Sequence, residues 1–167
     1  MAQLNDLMNY LNRSGIRYQL LSHVPAFRAH DVAMVTHVPD VQIAKTLVIK
    51  AGPVYWMVVL PADHRLDERL LKGALEVHHA HLAHEEELDQ LFPDCELGAM
   101  PPFGNLYGLP VIVDRSLTED KFIIFNACTH TESIKMRYED YERLVQPLVA
   151  DIAVSNRYVE EERGGIR

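Results

Sequence analysis

Four histidines in a short run are the first residues that could bind a metal: His78, His79, His81 and His84. A zinc-protease helix needs two histidines four positions apart with a glutamate after the first, and this run lacks that spacing. In a strand, His79 and His81 would share one face. A third ligand would have to come from elsewhere, for example Glu85 or Cys95. A solvated polar edge is therefore favoured over a metal site, and no metal ligand is predicted.

A thiol and an imidazole lie two residues apart in Cys128-Thr129-His130. In an extended segment both side chains point to the same face, and a thiol beside an imidazole is the start of a nucleophile–base pair. An i, i+2 pair, however, places the two groups side by side rather than aimed at each other. Cysteine is also most often a small buried apolar residue. Burial is therefore favoured over cysteine catalysis.

Lys45 is the third candidate, because it directly precedes the apolar run Thr46-Leu47-Val48-Ile49. A lysine at the entry to a buried strand either extends its ammonium to water or projects it into a cleft at the strand end. Position alone favours the solvated alternative.

The loop Gly98-Ala99-Met100-Pro101-Pro102-Phe103-Gly104 carries the strongest backbone constraints in the chain. Its two prolines fix φ and remove two N–H donors, and its glycines can adopt dihedrals that other residues avoid. Met100 and Phe103 make the loop apolar. Such a loop suits either a pocket wall that meets a ligand with its backbone or a buried connection between elements.

The elements that must position these residues follow from hydrophobic periodicity, caps and turn residues. Helices are predicted over 3–14, 28–36, 67–75, 85–91 and 140–149, the last broken at Pro147. Strands are predicted over 18–23, 46–50, 54–60, 111–114, 122–126 and 133–136. The second strand of the 46–60 hairpin is apolar without alternation, which indicates burial on both faces. The fold class is therefore α/β (mixed α+β), with a largely antiparallel mixed sheet wrapped by helices.

Length and charge restrict the function classes. With 167 residues the chain is predicted to form one domain over 1–154, followed by a polar, flexible tail over 155–167. The net charge of −8 argues against a broad electrostatic nucleic-acid binder, so DNA is not expected as a partner. No apolar run is long enough to span a membrane, and no signal peptide is recognised. The two cysteines are expected to be reduced thiols in a cytoplasmic protein.

Three stretches together resemble one family, the YbaK-like editing domains associated with prolyl-tRNA synthetase. They are Ala44-Lys45-Thr46-Leu47-Val48-Ile49, the loop from Gly98 to Gly104, and Phe125-Asn126-Ala127-Cys128-Thr129-His130-Thr131. The resemblance implies a compact mixed sheet and a free-standing deacylase that hydrolyses mischarged aminoacyl-tRNA, most often tRNA for proline carrying alanine or cysteine. It implies the aminoacyl-tRNA acceptor end as substrate and a prolyl-tRNA synthetase as a potential partner, with no metal or organic cofactor.

The resemblance also implies site residues. The family's lysine corresponds to Lys45 and the histidine after its later strand to His130, and both are predicted to be catalytic. The substrate-binding residues are predicted to be Thr46, Gly98, Ala99, Met100, Pro101, Pro102, Phe103, Gly104 and Cys128. We expect backbone N–H groups of the loop to stabilise the oxyanion, and Met100 and Phe103 to limit the pocket size. Cys128 replaces a glycine that is frequent in the family, and Thr46 replaces an asparagine typical of its alanine-specific members, so the amino acid that is removed stays open.

Two rival interpretations remain at this stage. One is a binding module of the same fold that recognises an aminoacyl-tRNA end or a small nucleotide without turnover. The other is a hydrolase that depends on cysteine or a metal. His130 could equally have only a structural role.

Overall fold

A computed structural model of the chain describes residues 2–156. Its α-helices are α1 (Ala2–Arg13), α2 (Ala29–Thr36), α3 (Glu68–Leu75), α4 (Glu85–Leu91) and α5 (Tyr138–Val145). Its strands are β1 (Tyr18–Ser22), β2 (Ala44–Ala51), β3 (Val54–Pro61), β4 (His64–Leu66), β5 (Ala80–Leu82), β6 (Val111–Asp114), β7 (Phe122–Asn126), β8 (Glu132–Arg137), β9 (Leu148–Ala150) and β10 (Ala153–Ser155). No helix within these residues is long and apolar enough to cross a membrane.

The strands form three sheets. The largest has the order β5-β2-β3-β6-β9, in which β5, β2 and β3 pair antiparallel while β3, β6 and β9 pair parallel. The second has the antiparallel order β1-β8-β7, and β4 pairs with β10. Most pairings are therefore antiparallel, as predicted, and the mixed α/β class is confirmed.

Alternation along β3 explains why its sequence is apolar at every position. Met57 and Val59 face the main core, which lies between the two larger sheets and is covered by α1 and α5. Val58 and Leu60 face the opposite way and pack against Leu71 of α3. Both faces of β3 are buried, which confirms the interpretation of its continuous apolar run.

The C-terminal part differs from the sequence prediction. The helix predicted over 140–149 begins earlier and ends at Val145, and Leu148–Ala150 forms β9, parallel to β6. Pro147 cannot continue a helix, and the apolar residues after it complete a sheet edge instead. The predicted domain boundary at 154 falls inside β10, and most of the predicted tail, 157–167, lies outside the described residues.

Asp114 fastens this C-terminal segment to β6. Its carboxylate is buried, and one oxygen accepts hydrogen bonds from the backbone N–H groups of Ile152 (2.9 Å) and Ala153 (3.0 Å). The other oxygen accepts from the N–H of Ser116 at 3.2 Å and from the Ser116 hydroxyl. A buried carboxylate surrounded by donors is stabilising only while all of them remain paired.

We expect Asp114→Asn to lower the free energy of unfolding by about 2 kcal/mol, because the amide places a donor where a carboxylate oxygen accepts from Ser116. Urea denaturation measures this change. Asp67→Asn is the matched control, since Asp67 caps α3 through the N–H of Leu70 and asparagine caps a helix about as well as aspartate. Equal stability of the two variants would contradict the fastening role of Asp114.

Candidate functional site

A cavity of about 220 Å³ opens where the start of β2, the helix α2 and the glycine–proline loop meet. Its walls are formed by Phe27, Ala29, Val32, Ile43, Ala44, Lys45, Thr46, Leu47, Gly98, Met100 and Asn126. Four residues predicted for the site lie here together: Lys45, Thr46, Gly98 and Met100. Although these segments are far apart in the sequence, the fold brings them to one small, largely apolar space.

Lys45 provides the cationic group of this cavity. It pairs with Leu60 across the β2–β3 ladder, and its Nζ donates to the carbonyl oxygen of His64 at 2.5 Å. Burial lowers the pKa of its ammonium, and the nearby Asp63 carboxylate opposes part of that shift. An ammonium has three donors, so two remain for a ligand. The structure therefore favours the cleft alternative for Lys45 over full solvation.

The first half of the glycine–proline loop presents backbone donors. Gly98 has φ +83°, a conformation that strains residues with a Cβ. The N–H of Ala99 donates to the carbonyl of Glu96, and the carbonyl of Ala99 accepts from the N–H of Cys128. Within residues 2–156, the N–H groups of Gly98 and Met100 donate to no acceptor. Two backbone donors thus belong to residues that line the cavity and remain unpaired.

The second half of the loop turns into the core instead. Phe103 is fully buried, and its ring packs against Tyr10, Phe125 and Tyr141. The carbonyl of Pro102 accepts from the Tyr141 hydroxyl at 2.7 Å. The prediction that Phe103 limits the pocket size is therefore wrong, because its ring fills the main core.

The remaining loop residues predicted to bind substrate are not on the cavity wall. Ala99, Pro101, Pro102 and Gly104 are all buried. A Cβ on Gly104 would collide with the carbonyl oxygen of Leu109, so this glycine is required by close backbone packing. These residues shape the loop from behind.

His130 lies behind the cavity rather than in its wall. Its Nε2 is 2.8 Å from the carbonyl oxygen of Leu97, and because a carbonyl can only accept, Nε2 carries the proton. A Cβ on Gly98 would be 3.9 Å from its Cε1, and its ring packs on Phe27 at 4.8 Å between centroids. Its Nδ1 is buried with no partner among the described residues. The ring thus contacts Phe27 and lies beside Gly98, which agrees with the structural alternative considered for His130.

Cys128 is joined to Cys95 in a disulfide, and their Cα atoms are 4.5 Å apart. The expectation of reduced thiols therefore differs from the structure. The N–H of Glu96 donates to the carbonyl of Cys128, so the segment before the loop runs beside the β7–β8 turn. That closeness cannot be seen from a separation of 33 residues. Cys128 is 2% exposed and does not line the cavity.

A family model described as "Aminoacyl-tRNA editing domain" matches residues 23–144, which include every residue lining the cavity. The chain belongs to the aminoacyl-tRNA editing domain family. This finding confirms the resemblance to the YbaK-like family.

Solved structures show the same fold. One, described as a hypothetical protein, has a TM-score of 0.81 at 21% identity and covers 89% of this chain and 99% of its own. Another, a "putative trans-editing enzyme for prolyl tRNA synthetase", has a TM-score of 0.81 at 19% identity and covers 93% of this chain and 99% of its own. No curated protein matches the chain. The editing-domain fold therefore spans nearly the whole chain.

Sequence reasoning missed part of the editing-domain cavity. Phe27 lies at its rim with 68% of its surface exposed, and Ala29 and Val32 of α2 form one wall. Asn126 contributes an amide, and its oxygen accepts from the Ser133 hydroxyl at 3.4 Å. A polar residue ending the apolar strand β7 was the available signal for Asn126. No local pattern distinguishes the exposed Phe27 from a core aromatic residue.

Two histidines of the run form a cluster with a glutamate on another part of the editing domain, away from the cavity. Ligand atoms of His81, His84 and Glu87 lie within 4.8 Å of one another, so the third member is Glu87 rather than Glu85 or Cys95. Both oxygens of Glu87 already accept hydrogen bonds, from the Tyr55 hydroxyl at 2.6 Å and the His84 N–H at 2.7 Å. None of the three lines the cavity.

Proposed function

We propose that this editing domain hydrolyses the ester bond of a mischarged aminoacyl-tRNA, with tRNA for proline carrying alanine or cysteine as its substrate. The observation that carries the proposal is that a cation and two residues whose backbone N–H groups are unpaired line the same small cavity. Lys45 provides the cation, and Gly98 and Met100 provide the donors. Developing charge on an acyl carbonyl is stabilised by donors of this kind.

The proposed reaction needs only water as co-reactant. The water oxygen adds to the ester carbonyl, and the carbonyl oxygen becomes an oxyanion held by the N–H groups of Gly98 and Met100. The bond to the ribose oxygen then breaks, and that oxygen takes up the proton released by the water. A neighbouring ribose hydroxyl or a second water relays the proton. The products are the free amino acid and uncharged tRNA.

Other residues of the cavity have proposed supporting roles. The Lys45 ammonium holds the terminal ribose or phosphate and stabilises negative charge. Thr46 lines the cavity, and its buried hydroxyl has no partner among the described residues, so it accepts from the substrate's amino group only after a movement of the cavity wall. Met100 narrows the apolar wall. His130 acts as a positioning residue for Gly98, and Cys128 fixes the loop from outside the cavity.

The choice of a small amino acid as substrate rests on what a synthetase needs corrected rather than on the volume of the cavity, about 220 Å³. A synthetase pocket discriminates poorly against an amino acid smaller than its cognate one, since a missing methylene is worth only ~1–3 kcal/mol. A second site that hydrolyses the mischarged tRNA corrects such mistakes. We further propose that the protein acts in the cytoplasm and that a prolyl-tRNA synthetase is its partner.

The test is deacylation of a panel of charged tRNAs for proline, carrying alanine, cysteine, serine or proline. We expect hydrolysis of the alanyl or cysteinyl species at least 100-fold above the uncatalysed rate, with prolyl-tRNA spared. A chelator should leave the rate unchanged. If no species is hydrolysed while binding is retained, the protein is a binding module rather than a deacylase.

A further inference from the structure

Four cations gather at one end of the β1-β8-β7 sheet. Arg17 immediately precedes β1, Lys121 immediately precedes β7, and Lys135 and Arg137 lie at the end of β8. β1 and β7 run in the same direction while β8 runs opposite to both. All four residues therefore lie at the same end of the sheet. Three of them, Arg17, Lys135 and Arg137, line an open depression of about 340 Å³ together with Phe122.

Strand alternation places Arg17, Lys135 and Arg137 on the same face as Phe122, whereas Lys121, one residue before Phe122, reaches the ring of Phe122 from the end of the strand. Lys135 pairs with Gln19 on one side and Ile124 on the other, and Arg137 pairs with Phe122. Partners in an antiparallel ladder share a face. The ammonium groups of Lys135 and Lys121 lie 4.9 Å and 5.5 Å from the centroid of the Phe122 ring. The Phe122 ring is therefore within cation–π distance of two of the four cations.

The charges of this cluster are not neutralised within the described chain. None of the four cations takes part in an ion pair among residues 2–156, where the ion pairs found involve other residues. Arg17, Lys121 and Arg137 are exposed and Lys135 is half-buried. In a chain of net charge −8, four adjacent unpaired cations form a local site for a polyanion.

The cluster and the cavity lie at opposite ends of the same sheet. Phe122, which lies beside the cluster, starts β7, and Asn126, which lines the cavity, ends it, with the buried Ile124 between them on the same face. Four residue steps in a strand span ~13 Å. Successive phosphates of a stacked nucleic-acid strand are ~3.4 Å apart along its axis, so the distance corresponds to about four nucleotides.

We propose that Arg17, Lys121, Lys135 and Arg137 bind backbone phosphates of the tRNA acceptor arm, about four nucleotides from the aminoacylated end held in the cavity. This inference rests on the proposed deacylase function and adds a docking surface to it. The contact is to phosphates, so it is independent of base sequence. It also gives an acidic protein a local means of holding its polyanionic substrate.

The test compares Arg17→Gln/Lys135→Gln with the control Arg65→Gln/Arg69→Gln, which removes the same charge from exposed positions in β4 and α3. Binding of uncharged tRNA for proline is measured by fluorescence anisotropy across a range of salt concentrations. Because each phosphate contact contributes ~0.7–0.9 to the slope of log K against log salt, we expect the cluster variant to reduce the slope by about 1.5. Its affinity at low salt should fall at least 10-fold, with the control unchanged.

A second readout separates docking from chemistry. Hydrolysis of an aminoacylated CCA trinucleotide, too short to reach the cluster, should proceed at wild-type rate in the cluster variant. Arg17→Gln alone, at an exposed position, serves if the double variant is unstable. Equal salt slopes in cluster variant and control would overturn the inference while leaving the deacylase intact. Salt-dependent binding through the cluster without ester hydrolysis would support the surface and overturn the deacylase.

Discussion

Replacing Lys45 with alanine is expected to lower kcat/KM for the preferred mischarged tRNA by about 100-fold. The ammonium is a cation on the wall of a small apolar cavity, with two donors left over after its bond to the His64 carbonyl. Removing one preorganised stabiliser of developing charge costs about 10²–10³ in rate. Single-turnover deacylation measures the effect on the chemical step without interference from product release.

Two further variants separate the charge of Lys45 from its packing. Lys45→Met keeps most of the apolar stem and should be as slow as Lys45→Ala, while Lys45→Arg should recover part of the rate. Lys50→Ala is the matched control, because Lys50 lies in the same strand but does not line the cavity. A wild-type rate for Lys45→Met would show that the positive charge of Lys45 is not needed for the reaction.

Loss of the Cys95–Cys128 disulfide is expected to lower the free energy of unfolding by about 3–4 kcal/mol. The bond closes a segment of 33 residues, and the entropy that a cross-link of this length removes from the unfolded chain corresponds to that range. For a protein of this size, the melting temperature should fall by roughly 10 °C. Calorimetry of the oxidised protein with and without a thiol reductant measures the change, and Cys95→Ser/Cys128→Ser should melt with the reduced form.

The same double variant tests cysteine chemistry. Assayed well below its melting temperature, it should deacylate tRNA within about threefold of wild type, because neither sulfur lines the cavity. A folded double variant without activity would instead indicate a cysteine-dependent hydrolase. Reductant added to the double variant should change neither its stability nor its rate, which controls for other effects of the reagent.

The parts of the fold that could be predicted have local signals. The leucine spacing of α1, the Asp67 cap of α3 and the apolar strand β3 depend on residues close in sequence, and the structure confirms all three. β9 has no such signal. Leu148–Ala150 becomes a strand because β6 offers a parallel edge, and that edge is formed by residues much earlier in the chain.

The candidate site was predictable to a similar extent. Lys45 and Gly98 are marked by backbone position: one stands at a strand entry and the other opens a loop with an unusual φ. Phe103 and His130 are not, since an apolar or aromatic side chain beside a loop can face either the cavity or the core. Their direction is decided by distant partners, such as Tyr141 for Phe103 and Leu97 for His130.

The pairing of β1 with β8 has a consequence for how the protein is made. β1 is an edge strand, and its single partner, β8, lies near the other end of the described chain. Tyr18 therefore pairs with Met136. A chain synthesised at ~5–20 residues per second leaves this N-terminal strand unpaired until nearly all of the domain has emerged. Helix α2, which forms one wall of the cavity, lies between β1 and β2 in the chain. The cavity is therefore incomplete in a nascent chain whose β1 is still unpaired. Long-range pairing of this kind also slows folding, and the cavity is therefore complete only after translation of the domain is finished.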